Sequence, residues 1–488
     1  MTGSRASIFP SILGLSNETL PFAPALREDL QACGLVMESM EDWQKIFLLA
    51  WHRLLNTHRD LGLYLETCLR CGACIDKCPY SRGGSNKNLT PLGRMELAAA
   101  LTREHFNFRG AFRKSDFNRF NLSVQTLTAW YSSFFSCALC RRCSLYCPLG
   151  LDPAAIVRSC REVLTELGLI PQTLVKALKS YMTYGNAQNI SPEDWTRTNA
   201  SLEQRLEKDH AQKIKCPVDE YGAEILFLPS ALDLKEHETT FAGYAKAFFA
   251  AGVSWTTSTH AADADNPGYF LNYRTMARLN KRILEAAREL KVRYIIWGES
   301  GHGWQIAKNY MLAMHGSWSE GGYLKAPGPL HFYQWAWHLW RRGAFDSYLN
   351  REANDKRIVT LHDPCQYGRS TGLLQEPREL LRASCNFYYE MPAKYSGENT
   401  LCCGGGCRAI ADQTEEIVSA SLPLAKVIAS MRGNVGVNCL ATGCAQCKTA
   451  LKKILARYGL ELDVSGVAAL FGNALMSNEP DQKGDDKV

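Results

Sequence analysis

Cys68-Leu69-Arg70-Cys71-Gly72-Ala73-Cys74-Ile75-Asp76-Lys77-Cys78-Pro79 and Cys137-Ala138-Leu139-Cys140-Arg141-Arg142-Cys143-Ser144-Leu145-Tyr146-Cys147-Pro148 decide the reading of this chain. Both run C-x2-C-x2-C-x3-C-P. Three thiolates on one tight loop can grip three corners of an iron–sulfur cube, while the turn at proline carries the fourth away. In two-cluster proteins that fourth cysteine serves the other cluster. The spacing therefore assigns Cys68, Cys71, Cys74 and Cys147 to one cubane 4Fe–4S cluster, and Cys137, Cys140, Cys143 and Cys78 to a second. Zinc is the alternative, but it takes four ligands, usually as two separated pairs. Two complete repeats ending in proline argue against it.

The rest of the composition fits a folded redox protein. At 488 residues, the chain predicts two to four domains. Hydrophobic content of 46% and charged content of 21% are those of a globular chain. The net charge of +6 comes from 55 basic against 49 acidic residues, without the clustered basic face that nucleic acid requires. The densest basic stretch, Arg103–Arg119, reads as a solvated face or as a docking surface for an acidic partner. Thirteen of the nineteen cysteines sit in tight groups and none lies between Cys216 and Cys365, a metal-binding rather than a disulfide distribution. No apolar run is long enough to span a bilayer; Ile46–Leu55 is broken by His52 and Arg53 and reads as amphipathic helix. The N-terminus lacks the apolar core of a secretory signal. These features predict a cytoplasmic protein that reaches a membrane only through a partner.

The fold class expected is α+β multidomain. Residues 1–66 form a helical N-terminal region, with apolar spacing through Trp43, Ile46, Phe47, Ala50 and Leu54. Residues 67–184 form a helical domain around the two clusters, its spacer including the helix-like Gly93–Leu101. The polar stretch 185–222 reads as a linker. Beyond it, strand-like runs at Glu224–Leu228, Val292–Trp297, Arg357–Leu361 and Asn434–Asn438 alternate with helix-like segments such as Phe241–Ala251 and Thr414–Ser430. That alternation predicts a largely parallel α/β region in two similar halves, a cysteine-free one at 223–350 and a cysteine-rich one at 351–475. The charged tail 476–488 reads as disordered.

The second half carries its own constellation. His362-Asp363-Pro364-Cys365-Gln366-Tyr367-Gly368-Arg369 follows a strand-like run; Cys402-Cys403-Gly404-Gly405-Gly406-Cys407 and Cys444-Ala445-Gln446-Cys447 come after it. Adjacent cysteines fit poorly on an ordinary cube, and the glycines allow backbone N–H groups to approach a cluster's sulfurs. The pattern C…CCG…CxxC resembles the CCG domain of heterodisulfide reductases, and the paired loops resemble their helical ferredoxin modules. The layout over about residues 60–475 is most similar to the D subunit of heterodisulfide reductase and to the K subunit of the membrane complex associated with dissimilatory sulfite reductase. The resemblance implies that Cys365, Cys402, Cys403, Cys444 and Cys447 bind a noncubane 4Fe–4S cluster at which a sulfur–sulfur bond is cleaved. Fully duplicated relatives carry the set twice, so here the first half is a scaffold without a cluster of its own. Relatives resembled in this way carry a cysteine where this chain has Ser300, which leaves His302 as the polar candidate beside the remaining cluster. Cys33, Cys160, Cys216, Cys385, Cys407 and Cys439 are read as packing thiols, with Cys407 and Cys439 close enough in sequence to act as a substitute ligand or a redox-active thiol. Arg369 either offsets thiolate charge, holds a substrate anion or makes an ordinary salt bridge.

The function expected is a heterodisulfide-reductase-like oxidoreductase subunit. Two cubane clusters would pass single electrons to the noncubane site, where a disulfide or related bond is reduced, or formed in the reverse direction. The resemblance implies a membrane cytochrome b-type or quinone-interacting subunit as partner, with cytochrome c and ferredoxin-like subunits alongside, and attachment to the inner face of the cell membrane through them. The substrate would be a heterodisulfide or a sulfur-carrier protein. The competing reading is a purely electron-transferring subunit of a glycolate, lactate or glycerol-3-phosphate type flavin dehydrogenase, or of a cytochrome c:quinone oxidoreductase. A zinc-stabilised interaction protein is the third.

Overall fold

The computed structural model describes residues 23–35, 42–81, 87–106, 122–318, 324–325, 328–405 and 414–475. The basic run 107–119, Cys407 and the tail 476–488 lie outside them. The chain forms two compact units. One comprises Met1–Met182, Pro267–Met276 and Leu401–Pro423; the other comprises Thr183–Asn266, Ala277–Thr400 and Leu424–Val488.

The first unit is helical. In α1 (Trp43–Thr57), Trp43, Phe47, Ala50, Trp51 and Leu54 recur at helical spacing and are buried. The spacer helix α2 (Pro91–His105) starts where Thr90 accepts a hydrogen bond from the Gly93 N–H and Pro91 supplies the first turn. Helices α3 (Val124–Phe135) and α4 (Pro153–Glu166) follow, and α4 packs on α1, α2 and α3. At the centre Trp130 makes edge contacts with Phe47, Trp51 and Phe134, with ring centroids 4.8, 5.4 and 4.9 Å apart. Such pairs contribute about 0.5–1.5 kcal/mol each beyond burial. Residues Pro267–Met276 join this unit; the Arg158 guanidinium on α4 lies over the rings of Tyr269 and Tyr273 at 4.4 Å.

The second unit holds two sheets of one design. The first has strand order β2–β1–β3–β4, from β1 (Ile225–Leu228), β2 (Trp255–Thr256), β3 (Tyr294–Trp297) and β4 (Leu330–His331). The second has order β6–β5–β7–β8, from β5 (Val359–His362), β6 (Tyr388–Tyr389), β7 (Cys439–Thr442) and β8 (Asp463–Ser465). Every pairing is parallel. Two halves with matching order agree with the α+β expectation. Helices α5 (Glu238–Ala250) and α8 (Val467–Ala474) cross at glycine: a Cβ on Gly472 would stand 2.4 Å from the Gly243 Cα, and one on Gly243 would stand 2.1 Å from the Ala468 carbonyl oxygen.

Two local expectations change. The run Asn434–Asn438 is not a strand: the helix Thr414–Val435 extends into it, Gly436 turns the chain at φ 79°, and β7 starts at Cys439. The polar stretch 185–222 contains the helix Pro192–His210, started by the Ser191 side chain accepting from the Asp194 N–H. Its charged residues face outward while Trp195, Leu202 and Leu206 are buried, so polarity hid a narrow apolar stripe. Among the described residues no helix is long and apolar enough to cross a membrane.

Candidate iron–sulfur centres

The two cysteine loops of the first unit share one backbone. Arg70 (φ 54°) and Gly72 (φ 78°) are left-handed in the first; Leu139 (φ 53°) and Arg141 (φ 59°) take the same places in the second. A side chain in that region costs on the order of 1 kcal/mol, and three of these four residues carry one. The cost sits where function is expected. The turn aims backbone N–H groups at sulfur: Leu139 donates to the Cys137 Sγ at 3.4 Å.

The thiols then group across the loops. Burial pushes the Cys74 thiol up to about 11, and the neighbouring Cys68, Cys147 and Cys71 add to the shift. The Cys143 thiol is pushed well up by burial and then by Cys140, Cys137 and Cys78. Buried thiols crowded this way hold their thiolate form beside a bound cation. As donor sets, Cys68, Cys71, Cys74, Cys147 and Cys78, Cys137, Cys140, Cys143 suit iron–sulfur clusters.

A cation already stands by the second set. Arg94 on α2 is 2% exposed; its Nε donates to the Ser133 carbonyl at 2.8 Å, and its Nη1 lies 4.0 Å from the Cys78 Sγ. Burial works against its charge, but the nearby Cys137 and Cys78 outweigh it. Arg161, fully buried on α4, donates to the Phe134 carbonyl at 2.9 and 2.8 Å and to the Cys137 carbonyl, pinning the backbone where the second loop starts. The signal for Arg94 was present: at helical spacing it shares a face with Met95, Ala98 and Leu101 rather than with solvent.

Cys402 and Cys403 also belong to the first unit, each 2% exposed. Gly404 after them has φ 82° and donates its N–H to the Cys402 Sγ at 3.4 Å. Its carbonyl accepts from the Tyr80 hydroxyl at 2.9 Å. Burial, then the sulfurs of Cys402, Cys140, Cys403 and Cys78, hold the Tyr80 phenol protonated.

In the second unit, Cys365 follows the end of β5, and Cys444 caps α7 (Ala445–Arg457), which carries Cys447; all three are buried. Strand ends and helix starts are where open α/β sheets place ligands. Gly301 abuts this group, since a Cβ there would stand 3.3 Å from the Cys444 Sγ. Beside it on α6 (Gly301–Ile306), His302 is buried, and the Gln366 amide nitrogen next to Cys365 lies 3.2 Å from its Nε2. Leu228 pairs with Trp297 as His362 pairs with Thr442. Counted from that register, Glu299 and His302 stand in the first half where Cys444 and Cys447 stand in the second. Ser300 is a helix cap, its Oγ accepting from the Gly303 N–H at 3.0 Å and donating to Asp265.

Sequence reasoning passed over His362. It closes β5, is 1% exposed, has no hydrogen-bond partner at either ring nitrogen among the described residues, and lies within 4.8 Å of the Cys447 sulfur. Buried polar groups are normally satisfied, so an open imidazole beside the Cys447 thiol suits a bound group. The signal was its place in the His-Asp-Pro-Cys run. Asp363 has a structural task, bridging Arg378 through two 2.7 Å contacts and accepting from the Gly397 N–H. Arg369 donates to the Glu398 and Thr400 carbonyls at 2.8 Å, so it fastens backbone. Cys33, Cys160, Cys216, Cys385 and Cys439 are each 0–3% exposed, as packing thiols are.

Residues 64–151 match the family described as 4Fe-4S dicluster domain, and residues 359–452 match the one described as Cysteine-rich domain. The chain is 30% identical over 480 residues to the Hdr-like menaquinol oxidoreductase iron-sulfur subunit 2 of Archaeoglobus fulgidus, covering 92% of this chain and 86% of that one. It is 27% identical over 482 residues to the corresponding iron-sulfur protein of Archaeoglobus profundus, with the same coverage of 92% and 86%. It is 22% identical over 420 residues to the D subunit of the dihydromethanophenazine:CoB–CoM heterodisulfide reductase of Methanosarcina barkeri, covering 84% of this chain and 94% of that one. A likeness that runs nearly end to end and takes in both cysteine regions settles the family: the chain belongs to the heterodisulfide-reductase-like iron–sulfur oxidoreductase subunits, which pair a ferredoxin-type dicluster domain with a CCG domain and work within redox complexes.

Proposed function

We propose that Cys68, Cys71, Cys74 and Cys147 hold one cubane 4Fe–4S cluster, that Cys78, Cys137, Cys140 and Cys143 hold another, and that Cys365, Cys402, Cys403, Cys444 and Cys447 hold a noncubane third. The first two supply single-electron relay, and the third supplies the reduction, or reverse oxidation, of a disulfide or related sulfur–sulfur bond. The chain's own residues prepare these sites. Leu139 and Gly404 aim N–H groups at sulfur, Arg94 brings buried positive charge to the second cubane, and the Gln366 amide nitrogen meets the His302 Nε2 at 3.2 Å. His362 offers two open ring nitrogens to a bond whose cleavage consumes two electrons and two protons.

The observation that carries the reading is this open, buried imidazole beside Cys447. A relay through cubanes needs only insulating surroundings, whereas breaking a sulfur–sulfur bond needs a polar group that handles protons. Electrons would be exchanged with a membrane cytochrome b-type or quinone-interacting subunit that holds the protein at the inner membrane face; the Archaeoglobus relatives, named as menaquinol oxidoreductase subunits, support the quinone-linked part of this reading. The test feeds the purified protein with a chemical reductant, without any flavoprotein, and follows thiol release from small heterodisulfides and from a disulfide-bearing carrier protein. Thiol release that depends on His362 is expected. No release from any of them would favour the purely electron-transferring reading.

A further inference from the structure

Tyr80 follows the last cysteine of the first loop, yet its side chain serves a different cysteine group. Cys78 belongs with Cys137, Cys140 and Cys143, and Pro79 turns the chain so that the Tyr80 hydroxyl reaches the Gly404 carbonyl at 2.9 Å. Gly404 is thus held on both sides of its Cα, because its N–H lies on the Cys402 Sγ at 3.4 Å. This turn has a parallel in the same unit. Leu139, two residues past Cys137, is left-handed at φ 53° and donates to the Cys137 Sγ at 3.4 Å. Gly404, two residues past Cys402, is left-handed at φ 82° and does the same. The doublet thus repeats the N–H to sulfur device of the relay loop, and in it Tyr80 adds a clamp from outside. Hydrogen bonds to cluster sulfurs raise reduction potential by stabilising the more negative, reduced state.

We propose that Tyr80 is a positioning residue for the third cluster: by holding the Gly404 carbonyl, its hydroxyl keeps Gly404 in its left-handed turn so that the Gly404 N–H stays on the Cys402 sulfur, which sets the potential at which that cluster accepts an electron. The inference rests on the reading that Cys402 is a ligand of a third cluster. It also explains why the clamp comes from the segment leading out of Cys78: the residue that tunes the acceptor is anchored on the loop of the donor.

The experiment is a redox titration followed by electron paramagnetic resonance on the full chain, wild type and Tyr80→Phe, with iron content measured for both. Phenylalanine keeps the ring and loses the clamp. The third signal should become harder to reduce, its reduced-to-oxidised ratio at fixed ambient potential falling about threefold to tenfold; tenfold is 59 mV for one electron. The two cubane potentials, as internal references, should hold. Gly404→Ala, which disfavours φ 82°, should move the third signal in the same direction. With full iron, an unmoved third potential overturns the proposal, and so does a common shift of all three, which a loosened fold would cause. A wild-type protein without any third signal would instead overturn the underlying cluster assignment.

Discussion

Lys448→Met would leave two carboxylates buried without their cation. The Lys448 Nζ lies 2.5 Å from Asp233 and 2.8 Å from Glu299, with the three side chains 1%, 0% and 0% exposed. It also donates to the Thr240 Oγ1 at 2.9 Å, while Glu299 accepts from the Tyr333 hydroxyl and the Ala468 N–H at 2.7 Å. The network joins the loop after β3 to the helix carrying Cys447. Removing one partner of a buried ion pair costs about 3–5 kcal/mol, because the other charge stays behind. Burial pushes the Asp233 carboxyl up, to about 7, against the pull of Lys448; without the lysine it rises further. A carboxyl with a raised folded pKa keeps a proton that the unfolded chain releases, so stability falls as pH climbs from about 4 through the folded value and levels off beyond it. The variant extends that fall to higher pH, so its loss relative to wild type is largest near pH 8 and smaller near pH 5.5. With a urea m-value of about 3 kcal/mol/M, the midpoint at pH 8 drops by about 1–1.7 M. Tryptophan fluorescence during urea unfolding reads this directly, and adding Asp233→Asn and Glu299→Gln to the variant should restore most of the loss. An unchanged midpoint at pH 8, or an equal loss at both pH values, refutes the reasoning.

Arg94→Met removes the buried positive charge beside Cys78 and should lower the potential of the second cubane by about 60 mV or more, one tenfold step per electron, leaving the first unmoved; a redox titration that shows both moving equally would contradict it. Gly243→Ala forces a Cβ to 2.1 Å from the Ala468 carbonyl oxygen, and because backbone cannot swing aside it should cost about 1–3 kcal/mol, read as a lowered melting temperature. Trp130→Ala empties the ring cluster under α4 and should cost about 3–5 kcal/mol, with iron lost from the two relay clusters when the protein is warmed.

Much of this protein was legible in its cysteines. The ferredoxin-type and CCG regions were read from the cysteine motifs, and family models match both; the swapped grouping of Cys147 with the first loop and Cys78 with the second is the proposal that this spacing makes. Strands β1, β3 and β5 were legible because each is a short apolar run buried on both faces. The two-residue and three-residue strands β2, β4, β6 and β8 were not, since edge strands this short carry no period of their own. Asn434–Asn438 misled because β-branched Val435 and Val437 imitate a strand where Gly436 ends a helix. Arg94 and His362 left a mark in the sequence, one on the apolar face of its helix and the other in the His-Asp-Pro-Cys run, but what each touches was not legible there. Tyr80 left none: a hydroxyl that reaches a residue far along the chain looks like an ordinary side chain in sequence.

Electron paramagnetic resonance of the oxidised protein, recorded with and without added thiol, tests the central claim most directly. The account predicts about twelve irons per chain, two cubane signals on reduction, and a separate thiol-dependent signal in the oxidised protein that Cys403→Ser abolishes while both cubane signals remain. Two cubane signals alone, with about eight irons per chain and no response to thiol, would contradict it.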